Sequence, residues 1–226
     1  MIKEFLTKNK VYFETLIPAV LSFITLVVSV VTYKVISTQT EIAKTALAPS
    51  FYITETYLYD ELRKIAYEKV LKIHNDGAKL REYDETIRSY IEMEFSAKNE
   101  RQTVYIPING YYDSYFKSKK LTGELTVVRG ENNNELFSDL YRTVMENDFR
   151  TKYGSVFLEL KHFAQLSYTD QMGNSGNEYF VNGELASSQE VESKIENWAK
   201  TLVDSQVYRI SEISVQDLEN IILSYQ

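Results

Sequence analysis

Few residues in this sequence have the types and spacing that catalysis or metal binding requires. The chain has no cysteine, which excludes disulfides, thiol catalysis and Cys-ligated zinc or iron–sulfur centres. Of its two histidines, His162 lies on the apolar face of a predicted strand and His74 precedes a turn, so both are interpreted as structural. The sequence contains no H-E-x-x-H, G-x-S-x-G or Walker motif. We therefore expect no catalytic residue, no metal site and no cofactor, and a protein that is not an enzyme.

Carboxylates offer two weaker candidates for chemistry. Glu92 and Glu94 alternate along a predicted strand, and this spacing suits a solvated face as well as a catalytic pair. The segment from Asp170 to Glu178 holds acidic and amide oxygens but lacks the residue order of a calcium-binding loop. We interpret the first pair as solvent-facing acids and the second segment as a hairpin connection.

The clearest recognition chemistry lies between positions 111 and 120. Four aromatic residues and three lysines occur there: Tyr111, Tyr112, Tyr115, Phe116, Lys117, Lys119 and Lys120. Aromatic rings stack on bases and lysines neutralise phosphates, so this stretch is a candidate site for a nucleotide, an oligonucleotide or another anionic partner. The alternative is a strand end and hairpin whose tyrosines cover the sheet while the lysines lie in solvent.

A second set of candidates lies in an apolar segment near the amino terminus. Hydroxyl residues and one proline recur there at alternating spacings of three and four: Thr15, Pro18, Ser22, Thr25, Ser29 and Thr32. On a helix this heptad-type spacing places them on one face. Small hydroxylated residues let helices approach closely in lipid, so two or three copies would pack along this face and four or more could line a narrow pore. The alternative is that each hydroxyl bonds a carbonyl of its own helix.

The element that positions this face is the segment 13–36. No charged residue occurs between Thr15 and Tyr33, and a helix of about 19 residues is roughly 28 Å long, close to the hydrocarbon thickness of a bilayer. A signal peptide has a shorter apolar region, and its one plausible cleavage site here, at 46–48, is followed by Pro49. A buried core helix is seldom apolar on every side. We predict a short tail (1–12), a transmembrane helix (13–36) and a helical stalk (37–48) that Pro49 ends.

The distribution of charge bears on the orientation of the chain in the membrane and on whether the soluble domain binds nucleic acid. Lys3, Lys8 and Lys10 flank the uncharged stretch on its amino-terminal side, and Lys34 and Lys44 flank it on the other side. This distribution favours a cytoplasmic amino terminus only weakly and leaves the side of the membrane open. The net charge is −7, although the first 48 residues contain five lysines and three glutamates. The remaining domain is therefore acidic, which disfavours indiscriminate binding to nucleic acid.

Residues 49–226 predict one soluble domain of the α+β class, a mostly antiparallel β-sheet or sandwich with helices in its second half. Alternating β-branched and aromatic residues indicate the strands, and apolar stripes with capping residues indicate the helices. The predicted strands are Ser50–Tyr59, Val70–Ile73, one within Leu80–Phe95, Thr103–Ile108, Leu121–Val128, Ser155–Tyr168 and one around Tyr179–Leu185. Helices are predicted from Asn134, from the capping box of Ser187 and Glu190, and from Ser214.

Several short segments follow one another in a recognisable layout. A short tail and one membrane helix precede the stalk Gln39-Thr40-Glu41-Ile42-Ala43-Lys44, a proline, the strand and turn Leu71-Lys72-Ile73-His74-Asn75-Asp76-Gly77, and a strand ending Tyr168-Thr169-Asp170 before Gly173. This layout resembles small single-span bacterial membrane effectors of anti-phage systems, including the Hailong type. In that type a partner nucleotidyltransferase makes short deoxyadenosine oligomers that hold an oligomeric channel closed. The resemblance implies a cytosolic β domain that senses a ligand and a span that forms the pore.

The leading hypothesis is a homo-oligomeric, single-pass membrane effector whose soluble domain controls a pore or ion channel. The alternative is a membrane-anchored binding or adaptor module that forms no pore. A third hypothesis places the domain on the outer surface of the membrane.

Overall fold

The computed structural model describes residues 2–10, 12–97, 100–146, 149–153, 155–203 and 207–225. The chain divides into two compact units, Met1–Ala48 and Pro49–Gln226. The first is helical, and the second combines β-sheets with helices. The predicted class, an apolar helix followed by an α+β domain, is confirmed.

The amino-terminal unit is organised around one long helix. A short helix, α1 (Ile2–Lys8), and a π-helical turn (Tyr12–Leu16) precede α2 (Ile17–Ala46). Pro18 lies at the start of α2, directly after the π-helical turn. The predicted span and stalk therefore belong to one continuous helix. Within the predicted tail, Ile2–Lys8 form α1.

The second unit contains two β-sheets, of which the smaller has four strands. They are β1 (Phe51–Asp60), β2 (Ile65–Asn75), β5 (Ser114–Lys117) and β6 (Gly123–Arg129). Their order is β1-β2-β6-β5, and each neighbouring pair is antiparallel. The two edges of this sheet are therefore the ten-residue strand β1 and the four-residue strand β5.

The larger sheet has six strands. They are β3 (Glu82–Ala97), β4 (Glu100–Asn109), β7 (Phe157–Thr169), β8 (Ser175–Val181), β9 (Glu184–Leu185) and β10 (Tyr208–Arg209). Their order is β10-β4-β3-β7-β8-β9. The pairs are antiparallel except β10 with β4, which is parallel. β3 and β7 pair over the longest stretch, from Glu82 opposite Thr169 to Glu94 opposite Phe157.

The apolar core follows from the alternation of side chains along the strands. On β3, Ile91 and Met93 are fully buried on either side of the half-buried Glu92. They belong to the same buried cluster as Leu71 and Ile73 of β2, so the two sheets enclose a shared core. Burying each such aliphatic side chain contributes about 1.5–3 kcal/mol.

The helices of this unit are α3 (Asn133–Glu146), α4 (Phe149–Tyr153), α5 (Ser188–Val203) and α6 (Val215–Leu223). Ser214 caps α6 as predicted: its hydroxyl accepts from the backbone N–H of Asp217, whose carboxylate accepts from the N–H of Ser214. α5 covers a second, smaller apolar cluster, in which Val191 packs with Tyr90 and Phe163 of the larger sheet.

The turn predicted at Asn75-Asp76-Gly77 is held by a buried asparagine. The Asn75 Oδ1 atom accepts hydrogen bonds from the backbone N–H groups of Ser50 and Gly77, each at 3.0 Å, and its amide donates to the carbonyl of Ala78 at 2.8 Å. One side chain thus connects the start of β1 with the end of β2.

The structure differs from the sequence prediction in several local details. β5, β10 and α4 were not predicted, because they are only two to five residues long, and the strand predicted around Tyr179–Leu185 is divided between β8 and β9. β8 begins at Ser175, inside the segment expected to be a connection. Gly176 allows this early start, since a Cβ atom there would lie 2.6 Å from the hydroxyl oxygen of Tyr168.

Candidate functional site

The first candidate site is the hydroxyl face of the long helix. Within the part of the chain that the structure describes, Glu14–Ala46 is the one helix long and apolar enough to cross a membrane. None of its apolar window is buried within the single chain. A helix with apolar side chains exposed along its length needs lipid or protein partners to cover them.

Three of the predicted hydroxyl residues lie together in a shallow groove on α2. Its lining is Leu21, Ser22, Thr25, Leu26, Ser29, Val30 and Tyr33. Thr32 lies on the same helix next to this groove, whereas Thr15 lies in the preceding π-helical turn.

The hydroxyls of this face also bond to their own helix. Thr25 Oγ1 donates to the carbonyl of Leu21, and Ser29 Oγ donates to the carbonyl of Thr25, both at 2.8 Å. A hydroxyl that donates in this way keeps lone pairs that accept from another group. The face therefore offers hydrogen-bond acceptors to a neighbouring helix, to water or to a cation.

The second candidate site, the aromatic and basic stretch 111–120, is divided by the fold. Tyr111 is fully buried and Tyr112 is 8% exposed, and both belong to the main core. They follow β4, and their rings pack against His162 at centroid distances of 4.9 and 4.8 Å. The prediction that these two rings bind a ligand at the surface is therefore wrong. The alternative interpretation, in which tyrosines cover the sheet, applies to them.

The remaining members of this stretch are exposed on β5 and after it. Tyr115 and Phe116 lie on the edge strand, and Phe116 is 60% exposed. Lys117 is not an isolated cation, since its Nζ atom lies 2.6 Å from Asp84 Oδ1 and 3.3 Å from Glu85 Oε1. Lys119 and Lys120 are exposed. We define Phe116, Lys119 and Lys120 as the β5 patch, three exposed residues of the predicted ligand site.

Lys117 and Glu85 form a partly buried ion pair between the two sheets. The side chain of Glu85 is 1% exposed, and its burial raises the pKa of this carboxyl despite the nearby ammonium. Partial burial lowers the pKa of Lys117, but its hydrogen bonds to Asp84 and Glu85 and their negative charges outweigh this effect. The pKa of the lysine is therefore raised. Lys117 therefore contributes mainly to joining β5 to β3.

Both histidines have structural surroundings. His162 is 2% exposed, and its Nδ1 atom lies 3.0 Å from the hydroxyl oxygen of Ser89. Burial lowers the pKa of His162 to about 3, so the ring is neutral at ordinary pH. His74 Nε2 lies 3.1 Å from Thr54 Oγ1, and its ring stacks on that of Tyr52.

The carboxylate candidates are engaged in ion pairs and turns. Glu94 pairs with Arg101, and Glu92 lies 3.9 Å from the Nζ atom of Lys161. Asp170 Oδ1 accepts from the backbone N–H of Asn174 at 2.8 Å, which closes the turn before β8. Among the described residues, no three acidic or histidine side chains are grouped in a way that would hold a metal ion.

One cluster was missed at the sequence level. Lys194 of α5 is half-buried, and its Nζ atom lies 3.1 Å from the ring centroid of Tyr105 and 6.0 Å from those of Tyr90 and Phe163. Burial lowers the pKa of Lys194, although Glu92 opposes the change. Lys194 follows the buried Val191 by three residues, so the two lie on the same face of the helix. This spacing is the sequence signal that places Lys194 next to the apolar cluster.

Comparisons with known proteins supply no family for this chain. No family model matches it, and no curated protein matches it. A solved structure, that of the sporulation control protein Spo0M from Bacillus subtilis, is 13% identical, with a TM-score of 0.17. The match covers 66% of this chain and 55% of that one, so this chain spans little more than half of the matched protein. This likeness carries no argument about function.

Proposed function

We propose that the protein is a homo-oligomeric, single-pass membrane effector whose helices associate along the hydroxyl face and form a ligand-controlled pore. The observation that carries the proposal is the character of Glu14–Ala46: it is apolar and uncovered, and three of its small hydroxyl residues line one groove. Lipid covers apolar side chains equally well on every face, so a helix that only anchors has no need of this arrangement.

The spacing of the hydroxyl face favours a bundle. A repeat of 3.5 residues drifts by about 20° per heptad on a straight helix, so helices that keep this face together coil around one another with a left hand. The same phase continues beyond the span through Gln39, Ala43 and Ala46. The stalk would extend the bundle outside the membrane and join it to the β domain.

The chemistry of the hydroxyls also supports the proposal of a pore. Thr25 and Ser29 donate within their own helix and retain acceptor lone pairs. A ring of such acceptors from four or more copies would replace part of the hydration of a permeating cation. With fewer copies the same residues would pack in a closed seam.

The β5 patch is the proposed ligand site of the soluble domain. Phe116 offers a stacking surface, and Lys119 and Lys120 offer exposed positive charge in an acidic domain. A nucleotide or short oligonucleotide is the ligand class that fits this combination. In the effectors that the layout resembles, a partner nucleotidyltransferase supplies such a ligand, and the domain lies in the cytosol.

The ligand would control the pore through the difference between its binding free energies for the closed and the open arrangement of the helices. A ligand that binds the closed arrangement more tightly than the open one shifts the bundle by that difference and no more. The stalk of α2 is the covalent connection through which the shift would reach the span.

Ion flux from liposomes containing the purified full-length protein tests the pore. The expected result is flux through the native protein and at least tenfold less flux when Ser22, Thr25, Ser29 and Thr32 are all replaced by leucine. The matched control replaces Val20, Ile24, Val27 and Val31, on the opposite face, by leucine and should leave the flux unchanged. Equal flux from both variants would refute the pore assignment.

The alternative function is a membrane-anchored binding module without a pore. It is favoured by the hydrogen bonds of Thr25 and Ser29 to their own helix, because hydroxyls bonded in this way do not need a partner. Exchange of residues 13–36 for an unrelated membrane helix separates the two functions. An anchored module keeps its activity after the exchange, whereas a pore formed by this helix loses it.

The apolar helix lies near the amino terminus, where a cleaved signal sequence has a similar composition. The mass of the mature protein isolated from membranes distinguishes a retained membrane anchor from a cleaved signal sequence. Retention of residues 1–48 is expected for an anchor, and loss of this segment would refute every form of the pore proposal.

A further inference from the structure

A group of buried polar atoms lies between the two sheets at the junction of β1, β7 and the segment after β4. We define the interlayer polar cluster as Glu55, Tyr111, Tyr112 and His162. Each has one side-chain polar atom that is buried and has no hydrogen-bond partner among the described residues. These atoms are Glu55 Oε1, the two phenolic oxygens and His162 Nε2.

Ring contacts connect three members of the cluster, and the fourth, Glu55, is paired with Lys69 through its other oxygen. The rings of Tyr111 and Tyr112 meet edge to face at 4.9 Å, and each packs on the imidazole of His162. The other carboxylate oxygen of Glu55 lies 2.5 Å from the Nζ atom of Lys69. Burial, followed by smaller effects that include the charge of Glu55, raises the pKa of both phenols, so they remain protonated donors.

The backbone around these residues is fixed by other hydrogen bonds. Asn133 donates to the carbonyl of Tyr111 at 2.8 Å, and the Oδ1 atom of Asn182 accepts from the N–H of His162 at 2.8 Å. Ser89 lies 3.0 Å from the Nδ1 atom of the imidazole. The side chains are thus held in place while one polar atom of each lacks a protein partner.

Such a concentration of unpaired polar atoms needs a compensating partner. Each buried polar group without a hydrogen bond carries the full cost of its desolvation, and folded proteins satisfy nearly all such groups with protein or ordered water. Four in one cluster would remove a large part of the stability of a domain of this size.

We infer that this cluster is a binding site for at least one ordered water molecule. The water accepts from the hydroxyls of Tyr111 and Tyr112 and donates to Glu55 Oε1 and His162 Nε2. Two donors and two acceptors match the four hydrogen bonds of a water molecule. The match requires the imidazole tautomer in which Nδ1 donates to Ser89 Oγ, leaving Nε2 as the acceptor.

The test compares tyrosine-to-phenylalanine variants of the full-length protein in detergent. Urea unfolding is followed by the fluorescence of Trp198, the single tryptophan, which lies in the β domain. Tyr111→Phe and Tyr112→Phe should each lower the folding equilibrium constant about threefold to tenfold, because a hydrogen bond to the water is lost. Tyr153→Phe is the matched control, since the hydroxyl of Tyr153 donates to Glu219 at 2.6 Å. Loss of this known hydrogen bond should also lower the folding equilibrium constant.

A dry cluster predicts the opposite result. Removing an unpaired hydroxyl from a dry site relieves its desolvation cost, so an unchanged or increased folding constant for Tyr111→Phe or Tyr112→Phe would overturn the inference. A crystal structure of the native protein gives a second measurement. Ordered density within hydrogen-bonding distance of Tyr111 Oη and His162 Nε2 is expected, and its absence would equally overturn the water site.

Discussion

Protonation of His162 should control how the stability of the β domain depends on pH. The ring is buried among Tyr111, Tyr112 and Ser89, and burial lowers the pKa of His162 to about 3 from an ordinary value of 6.5. Between these two values the unfolded chain binds a proton that the folded chain does not. The depressed pKa therefore contributes stability that is present above pH 6.5 and is lost as the pH falls towards 3.

The size of the effect follows from the change in pKa. Each pH unit well inside this window costs about 1.36 kcal/mol, so acidification from pH 6.5 to 4.5 should remove about 2 kcal/mol through His162 alone. A typical domain has a free energy of unfolding of about 5–15 kcal/mol, so this loss is large enough to measure.

The assay is urea unfolding of the full-length protein in detergent between pH 4.5 and 7.5, with Trp198 fluorescence as the signal. Carboxylates also titrate in this range, and the raised pKa values of Glu85 and Glu178 act in the opposite direction. The informative quantity is therefore the difference in free energy of unfolding between the native protein and the His162→Gln variant at each pH. The glutamine in this variant does not titrate.

The variant should be less stable by about 1–3 kcal/mol at pH 7.5, because it leaves hydrogen-bonding groups in the core imperfectly paired. The difference in free energy of unfolding between the native protein and the variant should shrink by about 2–3 kcal/mol at pH 4.5, since the variant has no imidazole from which the fold must exclude a proton. Parallel pH dependences for the two proteins would refute the assignment of a buried, neutral imidazole.

Two further substitutions test contacts that the structure reveals. Lys117→Ala should lower the free energy of unfolding by about 1–2 kcal/mol at pH 7, less than for a fully buried pair because Lys117 is half exposed. This loss should shrink towards pH 4, where Glu85 is increasingly protonated; a loss independent of pH would contradict the pairing. Lys194→Met keeps the apolar stem but removes the cation held over Tyr105, and should cost about 0.5–2 kcal/mol in the same urea assay. An unchanged urea concentration at the midpoint of unfolding would show that this cation does not stabilise the packing of α5.

Much of the fold could be predicted because it depends on local pattern. Part of each long strand alternates, as the segment around Glu92 shows, and Ser214 begins α6 with a local capping signal. The apolar span and its hydroxyl spacing are equally local. Strand order is different, since it depends on pairs far apart in the chain, such as Glu82 with Thr169.

The candidate ligand site was harder to predict for the same reason. Tyr111 and Tyr112 stand beside exposed residues in the sequence, but they are buried because the chain turns into the core after β4. The ion pair of Lys117 joins residues that are 33 positions apart, so no local pattern indicates it. β5 itself has four exposed residues and no alternation of burial.

The mass of the full-length protein in a mild detergent tests the central claim most directly. Association through the hydroxyl face into a pore predicts particles of at least four chains, each of 26.3 kDa, after subtraction of bound detergent. The variant with leucine at Ser22, Thr25, Ser29 and Thr32 should form smaller particles, and the variant with leucine on the opposite face should keep the native mass. A monomeric native protein would contradict the account.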